Sequence, residues 1–311
     1  MTKISKILVT GATGLIGSGL VKALASEGHE VRCLVFENLK NFEFFKNLRV
    51  EIVYGDVTDI NSINGICKDV DTVIHCVAVG DINAVSKKHY EQCRKVIVDG
   101  TRNLLKECLK FRVKRFIYFS SIAVYGIIDD KKKITLETKK IPKTPYEIIK
   151  LEAEKICFRY CKDRIQLAII RPCTVYDFST DDSVGIGSEL KLLIKMVKMG
   201  FVFIPGNGQS LINLIHRKKV IKRILHLLKK KNIDGVYLFL DEILTTNQLV
   251  DKIAKYHNIK NYYIIHLHPL LLLPFIFVLE ELSKIFHFVP IFRTDRLLYI
   301  YRKYQKETIV N

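Results

Sequence analysis

Hydrophobic and polar positions follow two kinds of pattern along the chain. Leu15, Leu20, Val21 and Leu24 recur at the spacing of one helix face, and the segment 81–110 is patterned in the same way. Between the helical stretches lie short apolar runs that favour strands, at 6–10, 31–36, 50–53, 70–76, 115–120 and 165–170. Strands that alternate with helices in this way predict an α/β fold, in which a parallel sheet carries helices on both faces.

A glycine-rich turn separates the first predicted strand from the first predicted helix. Gly11, Gly14 and Gly17 are spaced G-x-x-G-x-x-G, whereas the standard dinucleotide fingerprint is G-x-G-x-x-G. Glycines at such a turn let the backbone approach a pyrophosphate, which the helix N-terminus stabilises. The order of strand, turn and helix therefore predicts a dinucleotide site; a tight turn without a ligand is the alternative.

Several predicted strands end in glycine or in a polar residue. Gly11, Asp56, His75 and Ser121 each fall at or just after such an end. Ligands of doubly wound sheets bind outside the carboxyl ends of the strands. We therefore expect these four residues to line one crevice.

A tyrosine and a lysine share one face of the helix predicted after Ser121. The segment 144–147 combines an N-cap threonine, a proline at the first helical position and a glutamate at N3. Tyr146 and Lys150 then lie at i and i+4, about 5–6 Å apart at Cβ. A lysine charge favours the phenolate and lowers the pKa of the tyrosine, which makes it a proton donor and acceptor near neutral pH. A solvated helix face is the alternative interpretation.

Composition narrows the choice of partners. The formal net charge of +18 is compatible with nucleic acid, an anionic membrane or an acidic substrate. We expect scattered lysines on solvated faces and no nucleic-acid partner, because no arginine-rich stripe with interleaved aromatic residues is present. The length allows one large domain or two smaller ones.

Cysteines and apolar runs predict the compartment. The eight cysteines form no C-x-x-C pair, and Cys33 and Cys76 lie in apolar runs, which favours buried free thiols in reducing surroundings. The first residues lead directly into a strand without a signal-peptide pattern, and the longest apolar run, 269–279, is too short to span a bilayer. We therefore expect a cytoplasmic protein. His266 and His268 have no carboxylate or cysteine cluster beside them, so no metal site is expected.

Further motifs follow the glycine-rich turn in a fixed order. The motif segments are spread over about residues 4–300, at 10–17, 55–59, 99–105, 120–126, 146–150, 171–176 and 206–216. With them the chain resembles the extended short-chain dehydrogenases/reductases. The matching group is that of the NAD-dependent epimerases/dehydratases and the 3β-hydroxysteroid dehydrogenases/dihydroflavonol reductases.

The resemblance implies a domain organisation. It predicts a Rossmann-type doubly wound parallel sheet with a small C-terminal substrate-binding subdomain. The NAD(P)-binding Rossmann domain would comprise residues 1–172 and a returning segment at about 213–240. Residues 173–212 and 241–311 would form the substrate-binding subdomain.

The same resemblance implies a role for each site residue. Ser121 would hydrogen-bond the substrate oxygen, Tyr146 would transfer its proton, and Lys150 would hold the nicotinamide ribose. This set suits hydride transfer at a secondary alcohol or ketone, because the oxygen loses or gains a proton in the reaction. Thr174 would contact the substrate. Cofactor contacts are implied for Gly11, Thr13, Gly14, Leu15, Ile16, Glu37, Asp56, Val57, Val77, Ala78, Tyr146, Lys150 and Pro172.

The cofactor is expected to be NAD(P), and the end of the second strand favours NAD. An acidic residue there binds the ribose 2′-hydroxyl of NAD, and an arginine accepts the 2′-phosphate of NADP. Val35 and Phe36 occupy the two expected positions, Glu37 follows within reach of the ribose, and Arg32 comes too early in the strand.

Departures from the family pattern bear on the substrate, which we expect to be a small molecule. Ile122 and Ala123 replace the acidic pair of the 4,6-dehydratases, which argues against dehydration. Thr174 replaces the asparagine of many nucleotide-sugar epimerases, which favours the hydroxysteroid/dihydroflavonol branch. Residues 217–219 are basic where relatives often have two aspartates, and Ile97 replaces a common asparagine. The chain also stops at Asn311, soon after residues 293–296, where relatives usually continue. This predicts a short or incomplete substrate lid, or a partly degenerated member of the family.

The apolar segment 267–282 resembles the helix beside the substrate in that branch. We expect this helix to face the core, and a peripheral membrane contact, aided by the basic surface, is the alternative. Homodimers formed through helices are common among relatives, and the resemblance suggests one here.

Three functions remain open at this point. The first is an NAD(P)-dependent oxidoreductase acting on a secondary alcohol or ketone of an apolar substrate. The second is a nucleotide-sugar epimerase, which would use the same residues and return the hydride to the opposite face. The third is a scaffold that binds the cofactor without useful catalysis.

Overall fold

The main sheet is parallel and seven-stranded. The computed structural model describes residues 5–36, 45–79, 87–126, 134–179 and 188–286. Its strands run in the order β10-β6-β5-β4-β1-β2-β3, and each neighbouring pair is parallel. Because the order reverses at β1, the sheet is doubly wound, and the predicted fold class is confirmed. The strands are β1 (Lys6–Thr10), β2 (Glu30–Val35), β3 (Val50–Tyr54), β4 (Thr72–His75), β5 (Arg115–Phe119), β6 (Gln166–Pro172) and β10 (Gly235–Phe239).

Helices cover both faces of this sheet. On one face α1 (Leu15–Ser26) and α6 (Arg217–Leu228) bury apolar side chains against β1 and its neighbours. On the other face α3 (Gly100–Lys110) and α4 (Pro145–Cys161) do the same. The predicted helical segment 81–110 contains α2 (Lys87–Arg94) and a π-helix (Lys95–Asp99) before α3, while residues 81–86 lie outside the described ranges.

The predicted start of α4 is confirmed in detail. The Thr144 hydroxyl accepts a hydrogen bond from the backbone N–H of Glu147 at 3.4 Å, and the Glu147 carboxylate accepts one from the backbone N–H of Thr144 at 3.0 Å. This capping box, with Pro145 at the first helical position, satisfies donors that no carbonyl inside the helix can reach. It fixes the register of the helix that carries Tyr146 and Lys150.

A second unit is formed by chain segments that lie before and after β10. The strands β7 (Thr174–Tyr176), β9 (Leu211–His216) and β11 (Glu242–Thr245) form a mixed sheet, and β8 (Phe201–Pro205) pairs with β12 (Tyr263–Leu267). A separate apolar core joins these strands to α5 (Ser188–Met199) and α7 (Thr246–Tyr256), and Leu15 of α1 contributes to it. The predicted domain boundaries themselves remain a prediction.

The helix α8 (Pro269–Phe286) differs from its predicted packing. Ile276 and Pro269 are buried, whereas Leu271 is 74% exposed and Phe275 64% exposed. The expectation that this helix faces the core is therefore wrong for most of its described side chains, because residues 269–279 are all apolar and such a stretch does not specify which side is covered. In the described part of the chain, no helix has the length and apolarity needed to cross a membrane.

The cysteines agree with the prediction of buried free thiols. All eight are free, and all but the partly exposed Cys76 are buried. Burial raises the pKa of Cys33 to about 12 and, as the largest cause, that of Cys173 to about 12. Such thiols stay protonated and pack as small apolar groups.

Candidate active site

The glycine-rich turn after β1 touches the backbone that follows β4. Gly11 has a φ of +67°, and a Cβ there would lie 2.8 Å from the carbonyl carbon of Cys76 and 2.9 Å from the backbone nitrogen of Val77. A Cβ at Gly17 would lie 2.1 Å from the carbonyl oxygen of Gly11. Only glycine fits at either position, so the turn and the start of α1 are as compact as a phosphate cradle requires.

The N-terminus of α1 is suited to an anion. Gly14 is the N-cap residue, no side chain caps this turn, and the first turn holds no acidic residue. The backbone N–H groups there carry the positive end of the helix dipole. The side chain of Leu15 is buried in the second unit's core, so Leu15 can contact a cofactor only through its backbone. The turn therefore fits the pyrophosphate of a dinucleotide.

The other predicted cofactor residues follow neighbouring strands of the same sheet edge. The Asp56 carboxylate accepts a hydrogen bond from the backbone N–H of Thr58 at 2.8 Å, and the carbonyl of the buried Val57 accepts one from the Asn103 amide at 3.0 Å. These bonds hold the turn after β3. Thr13, Ile16 and Val77 are partly exposed, Ala78 is exposed, and Pro172 is buried at the end of β6. Glu37 lies outside the described residues.

Ser121 and Tyr146 meet beyond the end of β5. Their side chains are hydrogen-bonded to each other, and both residues are partly exposed. The Ser121 hydroxyl also accepts a hydrogen bond from the backbone N–H of Ala123 at 3.1 Å, which caps the short 3₁₀-helix Ile122–Tyr125. Burial raises the pKa of Tyr146, and the bond with Ser121 offsets this only in part. The prediction that Lys150 lowers the pKa of Tyr146 is therefore wrong for this structure, because burial raises that pKa and the lowering contribution comes from Ser121.

Lys150 is buried on the same helix face as Tyr146. Its ammonium donates a hydrogen bond of 2.9 Å to the carbonyl oxygen of Phe119, at the end of β5, and lies 5.4 Å from the centre of the Tyr118 ring. Burial lowers the pKa of Lys150 to about 8. Because Ser121 follows Phe119 by two residues, this bond brings Lys150 beside the Ser121–Tyr146 pair.

His75 does not line the crevice as predicted. Its Nδ1 lies 2.6 Å from the Thr10 hydroxyl and its Nε2 lies 2.9 Å from the Thr101 hydroxyl, both buried. The Thr101 hydroxyl donates its proton to the carbonyl of Ile97, so it accepts from Nε2–H, and Nδ1 accepts from Thr10. Burial lowers the pKa of His75 to about 3, so this histidine is a neutral brace between β1, β4 and α3.

A buried charged network behind the site escaped the sequence analysis. Glu154 accepts hydrogen bonds from Arg171 at 2.8 Å and 2.7 Å and from the Ser120 hydroxyl at 2.6 Å. Arg171 also donates to the Tyr125 hydroxyl at 2.6 Å. The signal was present, because Glu154 continues the i, i+4 series of Tyr146 and Lys150, and Arg171 is a charge within an apolar strand.

The predicted substrate residue Thr174 lies exposed on β7, and polar side chains missed by the sequence analysis lie in the same unit. The Tyr176 hydroxyl donates to Glu242 at 2.6 Å, and Glu242 also accepts from the Lys252 ammonium. His216, on β9, packs edge-on against the Tyr176 ring at 5.1 Å. Within the described ranges, no cluster of three or more His, Cys, Asp or Glu side chains is placed to hold a metal ion.

The class of protein follows from this geometry together with comparisons. A glycine-rich turn that fits a pyrophosphate and a Ser/Tyr/Lys set lie along one edge of a doubly wound sheet, which is the arrangement expected of a dinucleotide-dependent enzyme. The model of the NAD dependent epimerase/dehydratase family matches residues 7–238. The chain belongs to this family of enzymes.

Individual relatives share a modest fraction of identical residues with this chain. The chain is 30% identical over 215 residues to a UDP-glucose 4-epimerase of Vibrio cholerae, with 67% of this chain and 62% of that enzyme covered. It is 27% identical over 254 residues to a dTDP-D-glucose 4,6-dehydratase of Dictyostelium discoideum, covering 75% of this chain and 58% of the relative. The match thus spans less than two thirds of either relative.

Solved structures share the fold. A UDP-glucuronic acid 4-epimerase from Bacillus cereus, solved in complex with UDP-glucuronic acid and NAD, superposes with a TM-score of 0.72 at 24% identity. The superposition covers 85% of this chain and 86% of that one. At this identity the likeness supports the architecture alone.

Proposed function

We propose that this protein is an NAD-dependent enzyme that transfers hydride at a ring hydroxyl of a nucleotide-linked sugar, with epimerisation as the net reaction. The observation that carries the proposal is the hydrogen bond between Ser121 and Tyr146 beside the buried ammonium of Lys150. This set lies at the sheet edge that also carries the glycine-rich turn. A proton acceptor and a cofactor cradle at one edge are the two requirements for oxidising an alcohol.

Each side chain has a defined task in the proposed reaction. Tyr146 takes the proton from the substrate hydroxyl and later returns it, while Ser121 hydrogen-bonds the same oxygen. Lys150 places a positive charge near the phenol, which favours its ionised form during the transfer. Bound NAD would accept a hydride from the substrate carbon and return it. The N–H groups of Gly14, Leu15 and Ile16 would hold the pyrophosphate.

The relatives change the ranking of the hypotheses made from the sequence. The relatives named above are a nucleotide-sugar epimerase and a nucleotide-sugar dehydratase, and this supports a proposal that ranks a sugar nucleotide ahead of an apolar alcohol. Dehydration is disfavoured, because Ile122 and Ala123 follow Ser121 and neither can supply an acid or base for elimination. The apolar alcohol or ketone stays as the second candidate, and it is favoured by Thr174, which stands where many nucleotide-sugar epimerases have an asparagine.

The test is direct incubation of the purified protein, with NAD, with UDP-glucose, UDP-glucuronic acid and dTDP-glucose. We expect one of them to be converted to its C4 epimer, observed by proton NMR of the sugar signals. Tyr146→Phe removes the acid/base oxygen and should abolish conversion while leaving calorimetric NAD binding unchanged. Conversion that survives this substitution would overturn the assignment of Tyr146. NAD binding without conversion of any sugar nucleotide by the wild type would overturn the epimerase in favour of an apolar substrate or a scaffold.

A further inference from the structure

The Glu154 carboxylate is the centre of a fully buried polar network. Glu154 is 1% exposed, Arg171 is 2% exposed, and Ser120 and Tyr125 are also buried. Both carboxylate oxygens are used, since Oε1 accepts from Ser120 and from Arg171 Nε, and Oε2 accepts from Arg171 Nη2. Every member therefore has a partner of good length, which is the condition for a rigid buried network.

This network ties together three elements that carry the proposed site. Ser120 is the residue before Ser121, and its backbone N–H donates to the carbonyl of Ile170 at 2.8 Å. Glu154 is on α4, one turn after Lys150. Arg171 is the residue before Pro172 at the end of β6. A single carboxylate on the helix of Tyr146 and Lys150 thus bonds to the side chain that precedes Ser121 and to the side chain that precedes Pro172.

The ion pair is poorly explained by stability alone. Burying a carboxylate and a guanidinium costs desolvation energy that their attraction only about repays, and apolar side chains of similar volume often stabilise as well or better. The position of the Ser120 hydroxyl is more informative. Its bond to Glu154 Oε1 is a buried hydrogen bond to a charged group, which stabilises more than a bond between neutral groups, and it spans from the end of β5 to α4, across which Ser121 and Tyr146 meet.

We propose that Glu154, acting through Ser120, is a positioning residue that sets the distance between Ser121 and Tyr146. This inference rests on the proposed function, because the distance between Ser121 and Tyr146 matters for turnover only if both residues act on the substrate. The contacts of Glu154 and Ser120 themselves do not depend on the substrate. The end of β5 is tied to α4 by two bonds, Ser120–Glu154 and Lys150–Phe119, and loss of the first leaves only the second. The segment after β5 can then shift relative to α4, and a misplacement of reacting groups by about 1 Å can cost on the order of 100-fold in rate.

Ser120→Ala and Ser120→Thr form a matched pair for the test. Alanine removes the hydroxyl and leaves the Glu154–Arg171 pair in place, so the fold should persist. Threonine keeps a hydroxyl at the same site. We expect Ser120→Ala to lower kcat on the converted sugar nucleotide by about tenfold or more, with KM and NAD affinity nearly unchanged, and Ser120→Thr to restore most of kcat. Equal activity of the wild type and Ser120→Ala would overturn the proposal.

Hydrogen exchange supplies a readout that needs no substrate. In Ser120→Ala, amides of 118–126 and 145–154 should exchange faster, while those of β1, β2 and α1 remain as in the wild type. Uniformly faster exchange over the whole chain would mean a loss of global stability and would refute a positioning role. If the wild type converts no substrate, the proposed function fails, and the local exchange pattern still decides the inference. Glu154→Gln is a weaker variant, because it leaves the Arg171 charge buried without its partner.

Discussion

The ammonium of Lys150 donates a hydrogen bond of 2.9 Å to the carbonyl oxygen of Phe119, so a buried charge on α4 is held by the backbone at the end of β5. No carboxylate contacts this ammonium in the hydrogen bonds of the described residues, and burial lowers the pKa of Lys150 to about 8. Lys150 is thus held as a cation near neutral pH at an energetic cost, which points to function and away from stability.

Lys150→Met should therefore raise stability while removing activity. The pKa of Lys150 falls from 10.5 to about 8 on folding, so the folded state binds fewer protons between these values. The cost of burying the charge is fully present below pH 8 and is relieved as the pH rises towards 10.5. We expect the free energy of unfolding at pH 7 to increase by on the order of 1–3 kcal/mol, after the lost bond to Phe119 is deducted. Urea denaturation at pH 7 measures this, and a less stable Lys150→Met would contradict it.

Removing the Ser121 hydroxyl should shift the pH dependence of turnover. The bond with Ser121 lowers the pKa of Tyr146, so Ser121→Ala raises it, and the acid limb of kcat/KM moves to higher pH. At neutral pH the rate should drop by about 10–100-fold. Ser121→Thr keeps the hydroxyl and serves as the control. An acid limb that stays in place in Ser121→Ala would show that Tyr146 does not set it.

Gly11→Ala and Gly28→Ala separate two costs of a side chain at positive φ. Both glycines are left-handed, at +67° and +83°, but a Cβ at Gly28 would meet nothing within 4 Å, whereas one at Gly11 would strike the backbone of Cys76. Gly28→Ala should cost about 1–2 kcal/mol through φ alone and leave NAD binding intact. Gly11→Ala should cost more and weaken NAD binding by at least tenfold. Denaturation and NAD calorimetry on both variants test this, and equal effects would argue against the close approach.

Acid should destabilise the protein through His75. The pKa of this histidine falls from 6.5 to about 3 on folding, because burial disfavours the imidazolium. Between these pH values the unfolded chain binds up to one more proton than the folded protein. The contribution of His75 to the free energy of unfolding is therefore complete above pH 6.5 and falls by up to about 1.4 kcal/mol per pH unit towards pH 3. His75→Gln should show a shallower slope than the wild type. His226→Gln, at an exposed position, serves as the control for the substitution itself.

Features that depend on residues close together in the chain could be predicted from the sequence. The glycine-rich turn and the Thr144 capping box depend on neighbours in the chain, and both were found where the pattern indicated. The direction of the His75 ring was mispredicted, because Thr10 and Thr101 reach it from other elements. Glu154 and Arg171 were missed for the same reason, since their pairing joins a helix to a strand that follows it. The packing of α8 could not be predicted, because its residues 269–279 are apolar on every side of the helix and do not distinguish a buried face.

The contact between Gly11 and residues 76–77 limits how this site can be re-engineered. The atoms that a new side chain would strike belong to the main chain, so no compensating substitution at Cys76 or Val77 can make room. A second-site suppressor would have to slide β4 along β1, and that would break the register Thr10↔His75. Mutant libraries that aim at a new cofactor preference should therefore keep this turn fixed and vary the residues after β2.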